Sequence, residues 1–340
     1  MRAQPESLGV CGRTPYDLAA ALRLGHLELH YQPVVSLQSG RPQGVEALVR
    51  WAHPIDGLLG PDAFLTEIAE TPLMTDITRW VLSTACTAAR HWPSWTVSVN
   101  VSAQDICSEQ LVIDVTDALE KSRLEPAHLK LELTEHSVVS DIDSAVAVMR
   151  ALRGLGVELS LDDFGTGYSS LFYLRELPLT EVKIDQVFIN RLSRGPYDVA
   201  IIESVLRLSS TMGLHVVAEG VETPEQAALL RSLGCPAGQG YLWSRPLPDR
   251  ELETWSENTD AVAVPSLAPR PRSSDGPALG KGLERQLFDF LSQGASLHTI
   301  AAALNRDGAR TTRGTRWTAR TVADAIARLP DPRRPPDRAS

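Results

Sequence analysis

Acidic and amide side chains recur along this chain at the ends of short apolar runs, and they are densest in Leu159 to Ser170, LSLDDFGTGYSS. Asp162 and Asp163 stand side by side there, followed by the glycines 165 and 167. Adjacent carboxylates at a strand tip repel one another unless cations sit between them. The glycines allow a sharp turn over a bound group. Taken alone, such a pair is more commonly an acidic turn in solvent. The other runs end in groups of the same kind: Gln32, Glu46 with Arg50, Asn100, Glu132 with Glu135, Lys183 with Asp185, Glu219 with Glu222, and Gln239. Carboxylates and amides without His or Cys make a hard-oxygen site suited to Mg2+ or Mn2+. Several such acids can hold two cations with an aspartate bridging them, a pair that clamps the attacking and departing oxygens of a phosphoryl displacement. Lys183 can orient or deprotonate the attacking water, and Arg50 can fork onto a phosphate. The chemistry is metal-assisted hydrolysis of a phosphate ester, with the ester unspecified.

These groups need a scaffold that brings them to one place. Alternation and β-branched content predict strands at 27–37, 44–51, 96–102, 129–135, 157–164, 181–189, 214–223 and 238–246. Helical patterns predict helices at 15–24, from Pro61 to about His91 with a break near Pro72, and at 109–122, 143–155, 170–175, 197–212, 224–233 and 249–255. Alternating strand and helix over residues 14–256 predicts an α/β fold, a TIM-like (β/α)8 barrel whose parallel strands all end at one mouth. Only Gln38 to Gln43 joins the first two strands, too short for a helical crossover, so the barrel is modified by an antiparallel first pair. Eight strands that each deliver a polar group to one mouth outweigh the solvent-turn reading.

The 340 residues are 43% hydrophobic and 22% charged, and no apolar run reaches the roughly 18 residues of a membrane span. The N-terminus lacks the apolar core of a secretory signal. The cysteines 11, 86, 107 and 235 show no CxxC spacing, which argues against a zinc ribbon and fits a reducing cytoplasm. Net charge is −9, yet Lys281 to Ser340 holds 11 Lys and Arg against 6 Asp and Glu, a local +5 on a chain whose remainder carries −14. Residues 257–282 are rich in Pro, Ser, Ala and Gly and read as a flexible linker, and 1–13 and 331–340 as an extension and a disordered tail. Between them, 283–330 predicts a small all-α module: an apolar stripe on Leu283, Leu287, Phe288 and Leu291, a helix capped by Ser296, a basic turn, and a helix from Thr318.

In order along the chain stand EALVR (46–50), NVS (100–102), ELTE (132–135), DDFGTGYSSL (162–171), KID (183–185), AEGVET (218–223) and QGYLWSRPLP (239–248). In these motifs the chain resembles the EAL-domain phosphodiesterases, which cleave cyclic di-GMP to linear pGpG with two Mg2+ or Mn2+ ions. The resemblance implies that Glu46, Asn100, Glu132 and Asp162 hold one ion, and that Asp162 and Asp163 serve the second with support from Glu219. Lys183 then positions or activates the water, in a catalytic group with Glu46, Asp162 and Glu219. Glu135 resembles the family glutamate that holds the loop after DDFG. Gln32, Arg50, Asp185, Glu222, Gln239 and Arg245 match positions near substrate. The resemblance also implies a homodimer. One departure is LTEIAE after Phe64, which touches no ligand position. Members that only sense the nucleotide lack ligands, and none is missing here, so an active enzyme is expected. The alternative is a catalytically silent cyclic di-GMP receptor that signals through its C-terminal module. That module is similar to a helix-turn-helix segment in the C-terminal part of large serine recombinases. Arginines 306, 310, 313, 316 and 320 would there meet DNA phosphates, or the basic face would meet a protein partner.

Overall fold

The computed structural model describes residues 15–134, 142–165, 174–192 and 196–258, and in the C-terminal part 283, 286–287, 290, 297–311, 316–318 and 321–322. The chain divides into two compact units, Met1–Leu267 and Ala268–Ser340.

In the first unit, α1 (Pro15–Leu24) leads into β1 (Leu27–Ser36) and β2 (Pro42–His53), then the short β3 (Gly57–Leu59). The helix α2 (Pro72–Ala89) precedes β4 (Thr96–Asn100), and α3 (Ala103–Ile106) and α4 (Glu109–Ser122) precede β5 (Leu129–Thr134). From there α5 (Ile142–Leu155), β6 (Glu158–Phe164), β7 (Glu181–Ile184), α6 (Gln186–Ile189), α7 (Pro196–Met212), β8 (His215–Ala218), α8 (Pro224–Ser232) and β9 (Ala237–Gln239) follow. The unit ends with β10 (Leu247–Pro248) and α9 (Asp249–Asn258). The strand order β10-β1-β9-β8-β7-β6-β5-β4-β2-β3, with β1 also paired to β2, closes the eight strands between β10 and β3 into a barrel. The strands from β2 through β4 to β9 run parallel, and β1 lies antiparallel to both of its neighbours, β2 and β9. The short first connection therefore dictates the one reversed strand.

Apolar positions explain the layers. On α2, Ile77, Val81, Leu82, Ala85, Cys86 and Ala89 are buried at helical spacing. They join the strand residues Val97, Val99, Leu129, Leu131, Leu159 and Leu161 in one core. Each large aliphatic side chain so buried contributes roughly 1.5–3 kcal/mol. Such a scaffold holds the mouth rigid.

Several predicted elements are shorter than the sequence pattern suggests. The sixth predicted strand, observed as β7, stops at Ile184, because the Asp185 side chain accepts from Val187 N at 2.6 Å and caps α6. The seventh and eighth predicted strands shrink to β8 and β9, since Gly220 (φ 64) and Gly240 turn the chain out of the sheet. A Cβ at Gly240 would lie 2.1 Å from Val221 O, so only glycine fits that crossing. The helix expected from Pro61 is a single 3-10 turn, Pro61–Ala63, and α2 begins at Pro72. The strands β3 and β10 were not expected; each is too short to carry an alternation. Helix α9 runs to Asn258, into the predicted linker. Most of the helix predicted at 170–175 and of the linker lies outside the described residues, as does Glu135.

In the second unit, α10 (Leu297–Arg306) packs Ile300, Ala301 and Leu304 with Leu287, Trp317 and Val322. Asn305 clamps the turn that follows, donating from Nδ2 to Trp317 O at 2.7 Å and accepting from Trp317 N at 2.9 Å. Thr321 N donates to Thr318 Oγ1 at 3.2 Å, as expected for a cap at Thr318. Ser296 and residues 323–330 lie outside the described residues.

Candidate active site

The mouth is assembled from the ends of the parallel strands. Glu46 lies on β2, Glu132 on β5, Lys183 on β7 and Gln239 on β9; all are buried, and Glu219 follows β8. Neighbouring residues of a strand face opposite sides, so Asp162 and Asp163 cannot both point inward from regular β6. A bulge resolves this. Leu161 pairs with Val182 and Phe164 with Ile184, leaving Asp162 and Asp163 opposite the single residue Lys183. Asp163 takes φ 54, a left-handed conformation that aspartate tolerates better than most residues. Asp162 Oδ1 accepts from the Asp163 backbone N–H at 2.9 Å and pins the bulge. Gly165 (φ 101) follows, where a Cβ would lie 2.7 Å from Phe188.

Lys183 is the hub. Its Nζ lies 2.7 Å from Glu219 Oε1, 2.8 Å from Glu132 Oε2, 3.1 Å from Glu46 Oε2 and 3.7 Å from Asp162 Oδ1, and the side chain is 1% exposed. Asn100 Nδ2 donates to Glu46 Oε1 at 2.8 Å, and Gln239 Nε2 donates to Glu46 Oε2 at 2.7 Å and to Gln32 Oε1 at 3.1 Å. Behind Asn100, Thr75, Thr78 and Ser102 each donate at 2.7 Å to the buried carboxylate of Asp105, fastening the turn after β4 to α2.

One ammonium among four carboxylates leaves an excess of buried negative charge. Burial, with Glu46 and Asp162 close by, pushes the Glu132 carboxyl up to about 8 despite Lys183. Burial and the charge of Asp162 raise Asp163 to about 6, and burial carries Asp162 and Glu219 upward as well. Glu46 goes the other way: burial raises it, but Lys183, Asn100 and Gln239 together hold it low. Burial disfavours the charged form of Lys183, and the surrounding carboxylates more than reverse this, holding it protonated. Protons thus take the place that cations would fill. Carboxylate oxygens of Asp162, Asp163 and Glu219 all lie within 4.8 Å of one another, and this hard-oxygen set fits a divalent ion.

Above the acids opens a cleft of about 380 Å3 lined by Gln32, Glu46, Leu48, Asp62, Asp163, Asp185, Gln186, Glu219, Gly220, Glu222, Gln239, Gly240 and Tyr241. The structure therefore brings Gln32, Asp185, Glu222 and Gln239 to the cleft. Half-buried Arg50 feels the charges of Tyr241, Glu46 and Asp62, and its guanidinium donates to Val49 O at 2.8 Å. Arg245 reaches the cleft through Tyr241, its guanidinium carbon 4.1 Å from the ring centroid. The sequence reading missed Asp62 and Tyr241. Tyr241 lies inside a motif already singled out, whereas nothing in the local pattern marks Asp62.

A closed (β/α)8 barrel with buried acids around a lysine at its C-terminal mouth has its polar cluster where barrels of this architecture carry their active sites. The chain belongs to the EAL domain family, matched over residues 16–246. It is 45% identical over 242 residues to the bifunctional diguanylate cyclase/cyclic di-GMP phosphodiesterase MucR of Pseudomonas aeruginosa, covering 70% of this chain and 35% of that protein. It is 43% identical over 256 residues to the cyclic di-GMP phosphodiesterase NbdA of the same organism, covering 74% of this chain and 33% of that protein. The chain thus spans about a third of the length of these relatives. Among solved structures, the MucR phosphodiesterase in complex with c-di-GMP matches with a TM-score of 0.67 and 45% identity, covering 70% of this chain and 98% of that one. Among the described residues no helix is long and apolar enough to cross a membrane.

Proposed function

We propose that the barrel hydrolyses cyclic di-GMP to linear pGpG with two Mg2+ or Mn2+ ions. The observation that carries this reading is the ring of Glu46, Glu132, Asp162 and Glu219 around Lys183, with no acid of the ring replaced. Glu46, Asn100, Glu132 and Asp162 would hold one ion, and Asp162, Asp163 and Glu219 the other, with Asp162 shared. Bound there, the ions supply Lewis-acid stabilisation of the phosphate and a nucleophilic water at neutral pH. Asn100 spends its amide N–H on Glu46, which leaves the amide oxygen as its ligand end. Lys183 would orient the water through its ammonium, and it would accept the water's proton only after releasing its own to solvent, a loss that ions sharing its carboxylate partners would favour. Gln32 and Gln239 fix Glu46. Arg50, Asp185, Glu222 and Arg245 bind the substrate from the cleft and around Tyr241.

Incubating the purified chain with cyclic di-GMP and Mn2+ or Mg2+, with product separated by chromatography, is expected to yield pGpG and to stop on chelation. Tight binding without linear product would instead favour a silent receptor.

For the second unit we propose contact with nucleic-acid phosphates. Arg310 and Arg316 are exposed, and Arg316 adjoins Trp317, which Asn305 holds by two hydrogen bonds. Retention on DNA is expected to fall steeply with salt and to vanish in a chain truncated near residue 280. Retention that survives truncation would point to the barrel instead.

A further inference from the structure

Beneath the catalytic ring lies a second ion pair that the proposed reaction does not use. On β5, Lys130 and Glu132 are two apart, and on β7 so are Glu181 and Lys183, so each couple faces the same side of its strand. The charges alternate in opposite order on the two strands. Lys130 Nζ donates to Glu181 Oε2 at 2.6 Å, one layer below the Lys183–Glu132 contact of 2.8 Å. The strand between them contributes Ser160, in register with both Glu132 and Glu181, whose Oγ donates to Glu181 Oε1 at 3.1 Å. His215 Nδ1 also meets Glu181 Oε2, at 3.0 Å. Both oxygens of Glu181 are thereby occupied, and Lys130 and Glu181 are buried. A cavity of about 290 Å3 is lined by Lys130 and Glu181 together with Glu132 and Lys183, so both pairs border one space.

We propose that Lys130 and Glu181 are positioning residues for the hydrolytic site, acting by keeping each other's charge away from it. Lys183 has a flexible stem, and a carboxylate two residues below it on the same face competes with the metal-binding acids for its ammonium. Lys130 silences that rival. Conversely, Glu181 is the nearer of two carboxylates that hold Lys130, at 2.6 Å against 3.6 Å for the partly exposed Glu158, and without it Lys130 is freer to reach up to Glu132 and compete with a cation for it. The crossed order keeps one cation per layer, and Lys183 stays in the upper one. This inference rests on the hydrolytic reading of the mouth.

The test uses the full chain with cyclic di-GMP and Mn2+. Lys130→Met is expected to lower kcat roughly tenfold to a hundredfold with KM little changed, as for other residues that orient metal ligands. Adding Glu181→Gln to the same chain removes the rival anion but keeps an acceptor for Ser160. It is expected to return kcat to within about threefold of wild type, because a buried ion pair can be replaced as a pair with little loss. A pair that serves stability alone would lower the thermal midpoint of Lys130→Met and leave kcat of the folded protein at the wild-type value. Wild-type kcat in Lys130→Met, or no recovery in the double variant, overturns the proposal. Should Lys130→Met fail to fold, Glu181→Gln alone decides, through calorimetry of Mn2+ binding. The freed Lys130 is expected to weaken binding about tenfold, and unchanged affinity overturns the proposal. A wild-type chain without turnover sinks the hydrolytic reading but leaves this metal-affinity readout valid.

Discussion

Asp162→Asn is expected to lower turnover by about three orders of magnitude or more, while the thermal midpoint of the metal-free protein stays level or rises. The two effects part because Asp162 does two opposed things. With cations present it is the ligand shared between both sites, and an amide can neither carry the charge nor bridge as strongly. Without them it is a buried acid whose carboxyl is pushed upward by burial and by Glu46. The amide removes one negative charge from a ring that has a single ammonium to satisfy it. Amide oxygen Oδ1 can still accept from the Asp163 backbone N–H, so the bulge survives. Parallel assays of product formation and thermal unfolding check this. Near-wild-type turnover would show that Asp162 is not the shared ligand, and a fold lost together with activity would show that it holds the barrel.

The second large effect is expected at Lys183. Lys183→Met should cut turnover about a hundredfold to ten-thousandfold, as for loss of a residue that moves the proton of the water. It should also destabilise the metal-free chain by about 3–5 kcal/mol, the usual cost of breaking a buried ion pair from one side. The deficit has a pH signature. Glu132 sits at about 8 and Asp163 at about 6 with Lys183 present, and both would move higher without it. The folded variant would then bind more protons than the unfolded chain, whose carboxylates titrate at about 4. Stability accordingly falls as pH rises from about 5 towards 8 and beyond, more steeply than in the wild type. Added Mn2+ replaces the missing positive charge, so its thermal shift should exceed the wild-type shift at pH 8. Equal shifts in the two proteins would mean that Lys183 and the ions do not answer the same charge.

Much of this site could be read from the chain because barrel chemistry is written at strand ends. Alternation located all eight barrel strands, and the six residues from Gln38 to Gln43 were enough to reverse the first of them. The hard-oxygen character of the mouth followed from residue types. What pattern could not supply was register. LDDF reads as a strand with one aspartate in and one out, and only the pairing of Leu161 and Phe164 with β7 reveals the bulge that turns both towards Lys183. Lys183 itself read as a neighbour of the acids; its place at their centre depends on four strands that meet across the barrel. Asp185 looked like strand and serves as a cap, because a side chain that accepts from its own backbone two residues on overrides β propensity. Asp62 was invisible for a related reason, since a lone aspartate after a proline gives no sign of what lies opposite.

The reversed first strand has a mechanical meaning. In an all-parallel barrel the chain enters its first strand on the floor, far from the chemistry. Here Leu27 pairs with Trp51, near the mouth end of β2, so the chain enters from the working face. Tension applied ahead of Leu27 would shear β1 along β2 and β9. The first side chain of the site dragged would be Gln32, register partner of Glu46 and hydrogen-bonded to Gln239. The same backbone that closes the barrel therefore enters it on the side of the acids.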